Sequence, residues 1–272
     1  MKQIPFVKMD GLGNDFVIID ERKTSYALTE KEIVAIADRR TGVGFDQMIV
    51  LTPSSKAFAK ISFYNADGST AGACGNGTRC TCRLLMDETG GNEVVLEGPD
   101  GRFLAGARAA DGLTTVNMGR PKTAWDEIPL THECDTLKVE GVLPELGAAV
   151  CVSMGNPHAV FFVPDAEKTD IERLGPVAEN HPMFPQRANI EFASVVASDL
   201  IRMRVWERGA GVTEACGSGA CATLVAAVRA GLSDEKAEIR MDGGSLIIEW
   251  RDKGDVLMTG ATHEAFRGVL FV

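Results

Sequence analysis

Apolar residues along this chain fall mostly into short runs rather than long helical stripes. In the first half, residues 6–9, 16–20, 47–51, 58–65, 94–97 and 113–118 read as strands. The second half echoes them at 149–154, 159–163, 192–197, 201–207, 246–250 and 256–258. Clusters of Gly, Pro and Asp, such as Gly98-Pro99-Asp100-Gly101, separate the runs. Helical signals are fewer. Thr29-x-x-Glu32 ahead of residues 33–38 forms a capping box. Residues 77–86 and 219–230 predict helices, and 171–179 predicts another, interrupted near Pro176.

Two strands end in polar groups on an otherwise apolar face. Side chains alternate along a strand, so Ala59, Ile61 and Phe63 share a face with Asn65, and Ile201, Met203 and Val205 share one with Glu207. An inward carboxylate at Glu207 is costly unless it is paired or functional. The alternative is that the strand simply ends there and Glu207 is solvated. The pattern alone leaves both open.

The echo between halves is an internal repeat. Ala73-Cys74-Gly75-Asn76-Gly77 returns as Ala215-Cys216-Gly217-Ser218-Gly219, an offset of 142 residues (216 − 74). The same offset carries Gly13-Asn14 onto Gly155-Asn156, Gln47 onto Asn189 and Asn65 onto Glu207. Four separated segments in one register are the mark of a duplicated domain, and the period is far too long for a solenoid. Residues 120–142 have no counterpart and read as a connection between the copies. The terminal run Val269-Leu270-Phe271-Val272 suits a strand that returns to the first domain. The expected boundaries are 1–119, completed by 263–272, and 120–262.

Composition narrows the function. The chain has 272 residues, 45% hydrophobic and 24% charged, with a net charge of −10. That balance fits a folded enzyme and leaves no basic footprint for nucleic acid. No apolar run reaches the ~18 residues of a membrane span, and residues 1–10 lack a signal-peptide pattern. A cytoplasmic protein with no membrane partner is expected. Seven scattered cysteines and four histidines form neither a disulfide framework nor a metal-ligand spacing, so no metal is expected.

Each Cys-Gly-x-Gly joins a loop to a helix. Glycines allow close backbone approach to a ligand, and the unpaired N–H groups of the first turn suit a carboxylate. The same position is expected to lower a thiol pKa from ~8.5 toward neutrality. A lone buried cysteine is usually a small hydrophobe. Two in equivalent places of duplicated domains suggest a pair of thiols facing each other across a pseudo-twofold axis. Inverting a carbon centre needs such a pair, one thiol removing a proton and the other delivering one to the opposite face. The amides of Asn14, Gln47, Asn65, Asn76, Asn156 and Asn189 suit a zwitterionic amino acid. Glu207-Arg208 offers one charge for an ammonium and one for a carboxylate. Cys80, Cys221, Cys134 and Cys151 read as structural.

These residues resemble the diaminopimelate epimerase family. The resemblance runs through Lys8–Phe16, Gly44-Phe45-Asp46-Gln47, Asn65–Ser69, Cys74–Gly77, Gly155-Asn156-Pro157-His158, Glu207-Arg208-Gly209 and Ala215–Gly219. It implies an α+β fold of two homologous domains related by pseudo-twofold symmetry, each a mixed β-sheet curled around a central helix. It implies a cofactor-free conversion of LL-2,6-diaminopimelate to the meso form, a step toward lysine and peptidoglycan, and a homodimer whose domains close on the ligand. Carried over by motif, Cys74 and Cys216 are acid and base, assisted by His158 and Glu207. Asn14, Gln47, Asn65, Gly75, Asn76, Asn156, Asn189, Glu207, Arg208, Gly217 and Ser218 bind the substrate. Asp10 and Val212 depart from the common pattern, outside the proposed catalytic positions. The related proline racemases typically place histidine after the first Cys-Gly, where this chain has Asn76. Phenazine-type isomerases do not use a cysteine pair. A dithiol redox sensor and a non-catalytic binder are the readings from other classes.

Overall fold

A computed structural model describes residues 2–272. The first strands are β1 (Gln3–Gly11) and β2 (Asn14–Asp20), followed by helix α1 (Glu30–Ala37). Then come β3 (Gln47–Thr52), β4 (Ala59–Asn65), β5 (Thr70–Ala71), helix α2 (Gly75–Thr89), β6 (Glu93–Glu97), β7 (Phe103–Arg108) and β8 (Thr114–Gly119). The second series is β9 (Val139–Leu143), β10 (Gly147–Ser153), β11 (Pro157–Phe162), helix α3 (Ile171–Glu179), β12 (Asn189–Ala197), β13 (Leu200–Glu207), β14 (Gly211–Thr213), helix α4 (Gly217–Arg229), β15 (Lys236–Met241), β16 (Gly244–Trp250) and β17 (Val256–Gly260). The last strand is β18 (His263–Phe271).

The chain divides into two compact units, one reaching to Val116 and including Gly260–Val272, the other spanning Asn117–Thr259. Their ladders are built alike. In the first, β18–β1–β2 is antiparallel, β2–β3 parallel, β3–β4 antiparallel, β4–β6 parallel, and β6–β7–β8 antiparallel. In the second, β9–β10–β11 is antiparallel, β11–β12 parallel, β12–β13 antiparallel, β13–β15 parallel, and β15–β16–β17 antiparallel. Register repeats too. Phe16 pairs with Gln47 as His158 pairs with Asn189, and Met48 pairs with Tyr64 as Ile190 pairs with Trp206.

The two units fill one ladder position from different sources. Next to β1 stands β18, from the C-terminus, and next to β10 stands β9, from the stretch expected only to connect the copies. Strands β5, β7, β9, β14 and β15 were not foreseen. Their apolar residues are interrupted by Gly, Ala or charge, as in Phe-Leu-Ala-Gly-Ala-Arg of β7, so composition hid an alternation that pairing enforces.

In each unit one helix lies against several strands of the sheet. Helix α2 packs on β1, β2, β6 and β7, and α4 on β10–β13, β15 and β16. Residues Gly219–Cys221 and Ala222–Ala227 of α4 are buried, the signature of a helix enclosed on all sides. The other sheet face carries α1 in the first unit and α3 in the second. Ile33 and Ile36 of α1 join Val17, Ile19, Met48 and Val50 in one core cluster, and Ile171 and Leu174 of α3 join Ala159, Phe161, Ile190 and Phe192 in another. Covered on both faces, β2 and β3 read as unbroken apolar runs rather than as alternation. Pro176 does not break α3, which is continuous over nine residues.

Candidate functional site

Helices α2 and α4 begin two residues earlier than expected, and the physical reason is the cysteines themselves. Cys74 and Cys216 are the N-cap residues. Each has extended backbone, and each thiol sulfur accepts the N–H of the third residue on: Gly77 N at 3.3 Å and Gly219 N at 3.4 Å. Sulfur does here what a Ser or Asp oxygen usually does. The N–H groups of Gly75 and Asn76, and of Gly217 and Ser218, have no carbonyl one turn earlier to bond within the helix. Each thiol therefore sits beside a pair of backbone donors.

Around Cys74, strands β2, β3 and β4 bring the predicted amides to one end of the sheet. The Cys74 thiol lies 3.8 Å from Asn14 Oδ1, and Asn14 Nδ2 donates to Asp46 at 2.9 Å. Gln47 Nε2 donates to Asn65 Oδ1 at 3.0 Å across the β3–β4 pair, and Asn65 Nδ2 donates to Ser69 Oγ at 3.0 Å. Asn76 is buried and accepts from the fully buried guanidinium of Arg79 at 3.0 Å. Beneath this end, Asp15 bonds Lys8 at 2.5 Å and Arg39 at 2.8 Å. Burial by itself would raise Asp15, but the hydrogen bonds and charges of Arg39 and Lys8 outweigh it and hold the carboxyl at about 2.

The second unit has a continuous set of contacts leading to its thiol. Ser218 Oγ lies 3.6 Å from Cys216 Sγ, and Asn156 Nδ2 donates to Ser218 Oγ at 3.3 Å. Asn156 Oδ1 meets His158 Nε2 at 3.0 Å, and His158 Nδ1 meets Glu191 Oε1 at 2.6 Å. Glu191 was not anticipated. The apolar run that suggested this strand begins at Phe192, whereas β12 begins at Asn189. The available signal was a charge at the offset position of an apolar residue in the first copy.

Glu207 is the carboxylate at the end of β13. Its Oε1 accepts from Thr213 Oγ1 at 2.5 Å, and its charge acts on the Cys216 thiol. Burial pushes Glu207 above the usual carboxylate range, against the opposing pull of Thr213 and His158. The group is half-buried at the end of β13 and hydrogen-bonded to Thr213, so it is neither an unpaired buried charge nor a freely solvated strand end.

Asn189 is committed to the backbone. Its Nδ2 donates to Pro157 O at 3.1 Å and its Oδ1 accepts from Arg208 N at 3.0 Å. The Arg208 guanidinium donates to Gln186 O at 3.0 Å.

The expectation that both thiols are acidified fails for Cys216. The residue is 7% exposed. Burial raises its pKa well above the ordinary thiol value, and the Glu207 and Glu191 carboxylates add to the shift. Ser218 and the Gly219 N–H act in the opposite sense and do not offset it. Burial likewise pushes Cys80 and Cys82 up to about 12, as suits packing residues. Among the described residues, no group of three or more His, Cys, Asp or Glu side chains is placed to hold a metal ion.

Comparison with known proteins bears on this geometry. A curated diaminopimelate epimerase of Phenylobacterium zucineum is 50% identical over 270 residues, covering 98% of this chain and 97% of that protein. One from Rhodospirillum centenum is 54% identical over 267 residues, covering 97% and 91%. Among solved structures, a hydroxyproline epimerase from Agrobacterium vitis shares the fold with a TM-score of 0.69 at 14% identity, covering 99% of this chain and 91% of that one. The family model described as diaminopimelate epimerase matches residues 6–124 and 150–264, so this chain belongs to the diaminopimelate epimerase family.

Proposed function

We propose that this protein interconverts LL-2,6-diaminopimelate and meso-diaminopimelate by proton removal and return at one α-carbon, with neither pyridoxal phosphate nor metal. The observation that carries the reading is the pair of N-cap thiols, Cys74 and Cys216, at equivalent places in two units of one family. One thiol, as thiolate, removes the α-proton, and the other returns a proton to the opposite face. In the LL-to-meso direction Cys216 is the base and Cys74 the acid, with the roles exchanged in reverse. Because Cys216 rests as a thiol, Glu207 takes its proton before the LL substrate reacts.

The backbone N–H groups of Gly75-Asn76 and Gly217-Ser218 receive the α-carboxylate and stabilise negative charge as the proton leaves. Asn14, Gln47, Asn65, Asn156 and Arg208 bind the remaining polar groups, and Asn189 holds the Arg208 backbone in place. His158 assists at the reacting centre. The protein acts in the cytoplasm as a homodimer. Val269 and Phe271 leave exposed apolar surface on β18, and a second copy of this chain covers it.

The test is α-deuterium incorporation in D2O, followed by NMR, with LL-diaminopimelate and separately with L-proline. Exchange with inversion for diaminopimelate alone supports the proposal. Exchange with proline instead moves the protein to the racemase branch. Exchange with neither, in a folded and reduced sample, sinks the reading.

A further inference from the structure

The repeat contains its own control experiment. Phe16 and Ile49 of the first unit occupy the ladder positions of His158 and Glu191 in the second, at the same offset as the cysteines. Phe16 and Ile49 are fully buried, and a Cβ on Gly77 would stand 3.3 Å and 2.9 Å from them. His158 and Glu191 are equally buried, and a Cβ on Gly219 would stand 2.8 Å from Glu191 Oε1. The first unit builds this layer from an aromatic and an aliphatic side chain. The fold therefore requires neither charge nor hydrogen bond at this place, and burying a carboxyl and an imidazole there disfavours folding relative to the apolar pair.

The hydrogen bonding states what the pair holds. Asn156 gives its Nδ2 to Ser218 and presents its oxygen to His158 Nε2. An amide oxygen only accepts, so Nε2 carries a proton. His158 Nδ1 and Glu191 Oε1, 2.6 Å apart, hold a second proton between them. Glu191 Oε2 has no protein hydrogen-bond partner among the described residues, and burial favours the neutral carboxyl. From Asn156 the contacts run on through Ser218 to the Cys216 thiol.

We propose that Glu191 is a positioning residue: its buried carboxyl group shares a proton with His158 Nδ1 and fixes the imidazole with Nε2–H toward Asn156. The inference rests on the reading of this site as an epimerase centre. Removing the carboxyl group takes away the partner that holds Nδ1 and lets the ring choose the other tautomer.

The experiment compares the wild-type protein with E191Q, E191D, H158Q and the E191Q/H158Q double variant. E191Q is expected to lower kcat about 10–100-fold, with KM within about threefold, as for other carboxylates that orient a histidine. E191D is expected to recover part of that loss. The double variant is expected to be no slower than H158Q alone, because Glu191 acts through His158. Unchanged kcat in E191Q, or full additivity in the double variant, overturns the proposal. Side-chain 15N spectra of the unmutated protein supply an independent arm: Nε2 protonated is expected, and a bare Nε2 overturns the proposal whether or not E191Q folds. A wild-type protein that fails to exchange LL-diaminopimelate defeats the functional reading instead, and the 15N arm still tests the tautomer that the proposal requires.

Discussion

Cys74 and Cys216 accept the same backbone hydrogen bond, yet they do not stand in the same surroundings. Cys74 is half-buried beside the neutral amide of Asn14, whereas Cys216 is enclosed with Glu207 and Glu191 for neighbours. A helix N-terminus favours a thiolate, but desolvation and two carboxylates disfavour it more. Since the pKa is raised, the thiolate fraction of Cys216 at a given pH is reduced. Without substrate, Cys216 should react with iodoacetamide at pH 8 at least about tenfold more slowly than an unperturbed cysteine of pKa ~8.5. Peptide mapping by mass spectrometry reads this directly, and fast labelling of Cys216 would contradict the assignment. At the level of catalysis, Cys74→Ala and Cys216→Ala should each lower kcat by at least about a hundredfold. A variant that keeps more than a tenth of the activity removes that residue from the proton-transfer pair.

The helices show what the second glycine of each motif does. Gly77 sits over Ile49, Phe63 and Phe16, the apolar floor of three strands. Gly219 sits over Glu191 and against its own cap, with a Cβ there standing 3.2 Å from Cys216 Sγ. Gly77→Ala should therefore act mainly by overpacking and destabilise the protein by about 1–3 kcal/mol. Gly219→Ala should in addition displace the thiol and the Glu191 carboxyl, lowering kcat by more than about tenfold. Denaturant unfolding together with steady-state kinetics separates the two, and equal kinetic losses would refute the distinction. Both helices were visible in the sequence from residue 77 and 219 onward. Their true starts were not, because cysteine is an unusual N-cap and Gly-Asn-Gly or Gly-Ser-Gly lowers apparent helical propensity.

At the scale of the whole molecule, buried titratable groups pull stability in opposite directions with pH. The carboxyl of Asp15 is held at about 2, below its ordinary 3.8, so its contribution is complete above 3.8 and is lost as pH falls toward 2. After allowance for solvent screening this is about 1 kcal/mol. Glu191 and Glu207, whose carboxyls are raised, contribute in the opposite sense, and their share weakens as pH rises beyond the ordinary carboxylate value. Asp15→Asn should lower Tm at pH 7 and converge on the wild type near pH 2. Thermal melts across that range test it, and a pH-independent difference would exclude the Lys8–Asp15–Arg39 cluster as the cause.

The duplication, most of the strands, the four helices and the two cysteine motifs at their starts were legible without a structure. Hydrophobic periodicity and motif spacing are local properties, and a fixed offset between copies survives in the linear chain. Pairing and burial are not local. Only the tertiary structure put β18 and β9 into one repeated ladder position, set Glu191 beneath Gly219, and closed Cys216 in with two carboxylates. Each of these depends on residues brought together from distant parts of the chain, and their electrostatic and packing energies are sums over neighbours that no single segment contains.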